Sequence, residues 1–173
     1  SVPESTSAPD QYDLAIDVEE QKTGQFMVGA GFSSVDDVIG FVELSQGNFD
    51  LTDWPRFSGG GQKLRMRAQL GTKRRDYEIS FVQPWFLNRR LSLGIDLFEH
   101  DSRFLSDEYD QLNIGGNISL GKPLGTYNRL NLIYGFESID VYNVSSNASP
   151  LIQQEEGTRD KSSLTLEIVR DTR

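Results

Sequence analysis

Between residues 63 and 98, polar and apolar side chains alternate almost without a break. Leu64, Met66, Ala68 and Leu70 are set among Lys63, Arg65, Arg67 and Gln69. Tyr77, Ile79 and Phe81 then alternate with Glu78, Ser80 and Gln83, with Val82 the one apolar residue out of phase. Leu91, Leu93, Ile95 and Leu97 alternate with Ser92, Gly94 and Asp96. Period two sustained over roughly 8–10 residues, with turns between, predicts antiparallel strands that have one apolar and one polar face.

The pattern continues in both directions. Residues 12–19 read as a lead-in strand and residues 20–23 as a polar break. Residues 24–32 set Phe26, Val28, Ala30 and Phe32 against Gln25, Met27, Gly29 and Gly31, and the glycines predict the least firmly held strand of the set. Residues 38–46 put Gly40, Val42 and Leu44 opposite Glu43 and Ser45. Three more strands are marked by Leu112 to Leu120, by Leu130, Leu132, Tyr134 and Phe136, and by Leu164, Leu166 and Ile168. The expected fold is all-β and antiparallel, with about eight strands over residues 24–173, no helix, and a flexible polar lead-in over residues 1–10.

The connections differ by parity. Those expected at 33–37, 72–76, 99–108 and 138–161 are mostly polar, whereas those at 48–62, 83–89 and 121–128 carry Trp54, Phe57, Trp85, Phe86 and Tyr127. Up-and-down transmembrane β-barrels sort their turns in this way, with aromatic girdles at the membrane interface. On this reading the apolar faces meet lipid and the polar faces line a wet lumen. The polar faces hold Glu43, Lys63, Arg65, Arg67, Glu78, Asp96 and Glu167. In a dry interior each charge would cost several kcal/mol unless paired; in a water-filled lumen it costs little. The stripe Lys63, Arg65 and Arg67 is expected to pair with Glu43 and Glu78 on the flanking strands.

Composition narrows the alternatives. The chain has 173 residues, enough for one domain, and a mean hydropathy of -0.46. No run approaches the ~18 apolar residues of a spanning helix, which leaves a β-barrel open. A net charge of -9 argues against nucleic acid as a partner. The absence of cysteine removes disulfides and thiol chemistry, and the absence of a signal peptide reads as a mature or trimmed chain. His100, beside Asp101, has no third ligand or nucleophile at workable spacing and reads as an exposed loop residue. The glycine run 59–61 lacks the Gly-Lys-Ser/Thr ending of a phosphate loop and reads as a turn. No catalytic residue, metal site or cofactor is expected, and nothing suggests an enzyme.

Five segments taken in order carry a resemblance: Val18-Glu19-Glu20-Gln21-Lys22-Thr23-Gly24, Gly29-Ala30-Gly31-Phe32-Ser33-Ser34, Phe57-Ser58-Gly59-Gly60-Gly61-Gln62, Gln83-Pro84-Trp85-Phe86 and Arg170-Asp171-Thr172-Arg173. Together they resemble the BamA family of outer-membrane assembly factors over about residues 12–173. The resemblance implies the last POTRA strand and a hinge over residues 11–23, followed by the N-terminal half of a barrel of about sixteen strands. The family's tandem POTRA domains, its later Arg-Gly-Phe/Tyr loop and the usual terminal aromatic have no counterpart here.

The family likeness also implies a function: folding and inserting other outer-membrane proteins without a cofactor, in the cell outer membrane of a diderm bacterium. Implied partners are outer-membrane lipid, unfolded outer-membrane protein clients, periplasmic accessory lipoproteins and the missing C-terminal half of the barrel. Gly24, Gln25, Phe26, Met27, Val28, Gly29, Ala30, Gly31 and Phe32 would form a lateral gate strand, whose weak pairing lets its edge open and template an incoming strand. Without the resemblance, the same glycines read as relief of crowding at bulges or bends. The residue pattern also admits a small outer-membrane barrel or adhesin, a polypeptide-secretion pore, and a soluble lipocalin-like barrel with its apolar faces inward.

Overall fold

A computed structural model describes residues 22–33, 37–106 and 108–172. The expected lead-in strand and the start of the hinge lie outside the described residues. The rest forms one antiparallel meander of eight strands: β1 (Gly24–Ser33), β2 (Asp37–Phe49), β3 (Gln62–Gly71), β4 (Arg74–Gln83), β5 (Ser92–Ser106), β6 (Tyr109–Leu124), β7 (Asn128–Tyr142) and β8 (Gly157–Arg170). Each strand pairs with the next, and β1 and β8 are the two edges. The eight strands therefore do not close on themselves, which sets aside the self-contained small barrel.

Register turns the sequence alternation into continuous rows. Phe26 lies opposite Leu44, Leu44 opposite Met66, Met66 opposite Ile79, and Ile79 opposite Leu97. A second row runs Phe81, Ile95, Ile118, Tyr134, Leu164. A one-residue slip anywhere would move a strand's apolar set to the other face, so the rows fix the register.

Burial is the reverse of a soluble core. Among the described residues, Glu43, Asp76, Asp101 and Asp110 are buried, while the one buried hydrophobic side chain is Ala148. On a single strand, Glu43 is 7% exposed between Val42 at 44% and Leu44 at 48%. Side chains converge on the concave side of a curved sheet and splay apart on the convex side. The polar face is accordingly the concave one. Its glycines agree: an added Cβ at Gly94, Gly115, Gly121 or Gly135 would sit 2.4–2.6 Å from a neighbouring atom. This arrangement also sets aside the lipocalin-like alternative, whose apolar residues would meet in a dry centre.

Several expected boundaries are corrected. Residues 99–106 and 138–142 continue β5 and β7, and β8 begins at Gly157, so the connections there shrink to residues 107–108 and 143–156. Beyond the apolar rows, residues 99–103 of β5 are polar, and in β7 the apolar residues change phase, from Tyr134 and Phe136 to Ile139 and Val141. Pairing persists there although the original phase does not. The expectation of no helix is also corrected, because α1 (Pro150–Gln154) forms one short turn. Its Ser149 side chain accepts a hydrogen bond from Ile152 N at 3.4 Å, and Pro150 follows the cap. Serine before proline is a helix-start signal. A 3-10 turn (Phe86–Asn88) lies in the connection after β4.

Candidate gate edge, aromatic rim and polar face

The three connections at one end of the sheet hold the five aromatics singled out above. In the β2–β3 connection, Phe57 stacks on Phe49 at 5.7 Å and meets Trp54 edge-on at 5.0 Å. Phe49 in turn meets Phe81 edge-on at 6.4 Å. Phe81 belongs to the apolar face, so this cluster carries that face outward to the rim. Gly59 and Gly61 close the connection with φ of 111° and 66°, left-handed backbone that glycine adopts without strain. Asp50 accepts hydrogen bonds from the backbone N–H and hydroxyl of Thr52, which hold its carboxyl below the usual carboxylate range. Trp85 and Tyr127 stand exposed in the other two connections, and Phe86 is half-buried in the 3-10 turn.

Glu43, Lys63, Arg65, Arg67, Glu78, Asp96 and Glu167 share the polar face. Glu43 is the hub: Arg65 donates to it at 2.9 Å, and Arg67 approaches it at 3.5 Å. The expected pairing to Glu78 is not formed. Glu78 stands opposite Arg67 in the register, but Arg67 turns the other way, to Glu43 and to Gln69 at 3.1 Å. Asp96 accepts from Ser80 Oγ at 2.6 Å, and Glu167 accepts from Asn131 at 2.7 Å. Glu137 accepts from Asn113 and pairs with Lys161.

His100 is corrected most clearly. It lies within β5, stacked on Phe98 at 5.0 Å, with Nδ1 3.0 Å from the buried Asp76 carboxylate, which Arg74 also meets at 2.7 Å. It is a sheet residue hydrogen-bonded to the carboxylate of the Arg74–Asp76 ion pair rather than a free loop residue. Its pairing with a carboxylate 24 positions away is visible only once β4 and β5 are in register.

The nine gate candidates all fall in β1, which is 10 residues long, as are β3 and β4. Its convex side carries Phe26, Val28 and Phe32, exposed at 67%, 70% and 90%. Crowding against the sheet does not account for all its glycines. An added Cβ at Gly31 meets nothing within 4 Å, and one at Gly24 meets nothing nearer than 3.7 Å. Gly29 is different, since the Phe41 ring lies over it. Phe41 escaped the sequence reading because it breaks the polar phase of its strand; an aromatic out of phase opposite a glycine is the available signal.

Comparison with known proteins places the chain. Residues 56–173 match the Omp85 superfamily domain. The outer membrane protein assembly factor BamA of Nitratidesulfovibrio vulgaris is 26% identical over 167 residues, covering 96% of this chain and 20% of that protein. BamA of Neisseria meningitidis serogroup B is 26% identical over 142 residues, covering 78% and 17%. The chain thus spans about a fifth of the length of these relatives. Among solved structures, BamA from Haemophilus ducreyi lacking POTRA domains 1–3 superposes with a TM-score of 0.56 at 21% identity, covering 96% of this chain and 32% of that one. Matching family, strand order and fold lead to one conclusion: the chain belongs to the Omp85 superfamily, and its eight strands form part of a BamA-type barrel.

Proposed function

We propose that this chain is the N-terminal half of the barrel of an outer-membrane assembly factor, which folds and inserts other outer-membrane proteins through a lateral gate flanked by β1. The observation that carries this reading is the inverted burial. Large apolar side chains stand exposed on the convex face while carboxylates are buried on the sheet. Such a surface belongs in hydrocarbon, and in a diderm bacterium a β-barrel places it in the outer membrane. The convex face takes lipid, the aromatic rim sits at the interface, and the concave charges face water. The names of the relatives supply the assembly role. No nucleotide or other cofactor is required, because the work is exchange of one strand pairing for another.

The gate assignment rests on β1. Of the two edge strands it is the glycine-rich one, and two of its glycines have no packing reason within the sheet. An exposed edge of unpaired N–H and C=O groups is a template for an incoming strand. Unfolded barrel clients supply such strands, and accessory lipoproteins would act on the periplasmic side. The test is a disulfide in the full-length protein between a cysteine at Ala30 and one facing it on the barrel's closing strand. Oxidation is expected to stop client insertion into lipid vesicles, and reductant to restore it. Unimpaired insertion by the bolted protein removes the gate role.

A further inference from the structure

We infer that Phe41 is a mid-strand anchor that holds the glycine-rich edge β1 to the sheet at its central glycine. This rests on the gate reading above for its purpose, but not for its geometry. Gly29 and Phe41 are direct cross-strand partners on the concave face. A Cβ at Gly29 would fall 2.5 and 2.8 Å from two carbons of the Phe41 ring, so the ring fills the space a side chain would take. The Arg67 guanidinium lies over that ring, 5.0 Å from its centroid. Glu43 holds Arg67, and Arg65 holds Glu43. The ring is therefore set between the backbone of β1 and a cation fixed from β3.

An aromatic packed on a cross-strand glycine restores the contact and shielding that the missing side chain forfeits, a device suited to edge glycines. The cation above the ring adds attraction and orients it. No comparable partner covers Gly24 or Gly31. One strand thus pairs with β2 along its whole length but has a side chain packed over its backbone only at the central glycine. A gate strand must stay attached on the β2 side while its outer edge exchanges partners, and the anchor serves that attachment.

The experiment is hydrogen exchange on the full-length protein in lipid, read along β1. Amides next to Gly29 are expected to exchange more slowly than those next to Gly24 and Gly31. Phe41→Leu should accelerate the central amides roughly fivefold, to the level of the ends, and leave β5–β7 unchanged. Phe41→Tyr should retain the slow centre, because it keeps the ring. Arg67→Gln, which leaves the ring in place, should give a smaller acceleration at the same amides and serves if Phe41→Leu does not fold. Flat exchange along β1 in the unaltered protein overturns the anchor. So does a Tyr variant that behaves like Leu, or an Arg67→Gln variant without effect. Client insertion is measured in parallel. The expected exchange pattern with insertion unaltered would leave the anchor standing and remove its link to assembly.

Discussion

Replacing Ile79 by arginine is expected to cost the folded protein about 2–4 kcal/mol in a bilayer, the penalty for a cation on the lipid face near the midplane. Ile79 is 41% exposed, yet its cross-strand neighbours are Met66 and Leu97. On the proposed function that exposure is to hydrocarbon, and no carboxylate lies in that row. The neighbouring Ser80 points the other way, between Arg65 and Asp96 in the register. Ser80→Arg exchanges a hydroxyl donor to Asp96 for a guanidinium in what the proposed function makes a wet lumen, with Arg65 limiting the gain. Its effect should stay within about 1 kcal/mol. Urea midpoints of the full-length protein in lipid vesicles separate the two. Equal losses would mean that the two faces meet the same medium.

The second large effect is expected at Gly115. An added Cβ there would lie 2.6 Å from the Phe136 carbonyl oxygen, 2.8 Å from the Phe98 ring and 3.1 Å from Glu137 Cα. Two of these are backbone atoms of β7, which cannot give without parting β6 from β7. Gly115→Val should therefore cost at least about 1–3 kcal/mol, the usual range for overpacking. Gly31→Val supplies the contrast, since nothing on the sheet lies within 4 Å and valine suits a strand. It should leave the midpoint almost unmoved. The reverse order would contradict the assignment of crowding to the concave interior rather than to the edge.

The alternation from Leu64 to Leu97 was legible because each strand there has one apolar and one polar face, as a strand between lipid and water has on the proposed function. Residues 99–103 are polar on both faces, and over residues 138–142 the apolar phase switches from Tyr134 and Phe136 to Ile139 and Val141, so both stretches read as loops although their backbones stay paired in β5 and β7. Periodicity locates the apolar band, not the ends of the strands. The paired residues of the candidate site were harder to read. Glu43 with Arg65, Asp76 with His100 and Gly29 with Phe41 are separated by 22, 24 and 12 positions along the chain, so register alone brings them together. The rim aromatics needed no register. Odd and even turns differ in composition, and the meander puts even turns at one end.

The most direct test of the central claim is a nitroxide scan along residues 77–82 of the full-length protein in a bilayer, read by collision with oxygen and with a water-soluble nickel chelate. Oxygen contact is expected to peak at Tyr77, Ile79 and Phe81, and nickel contact at Glu78 and Ser80, with period two and opposite phase. Nickel contact peaking at Tyr77, Ile79 and Phe81, or no alternation at all, would contradict a sheet that turns its apolar side to lipid and its charged side to water.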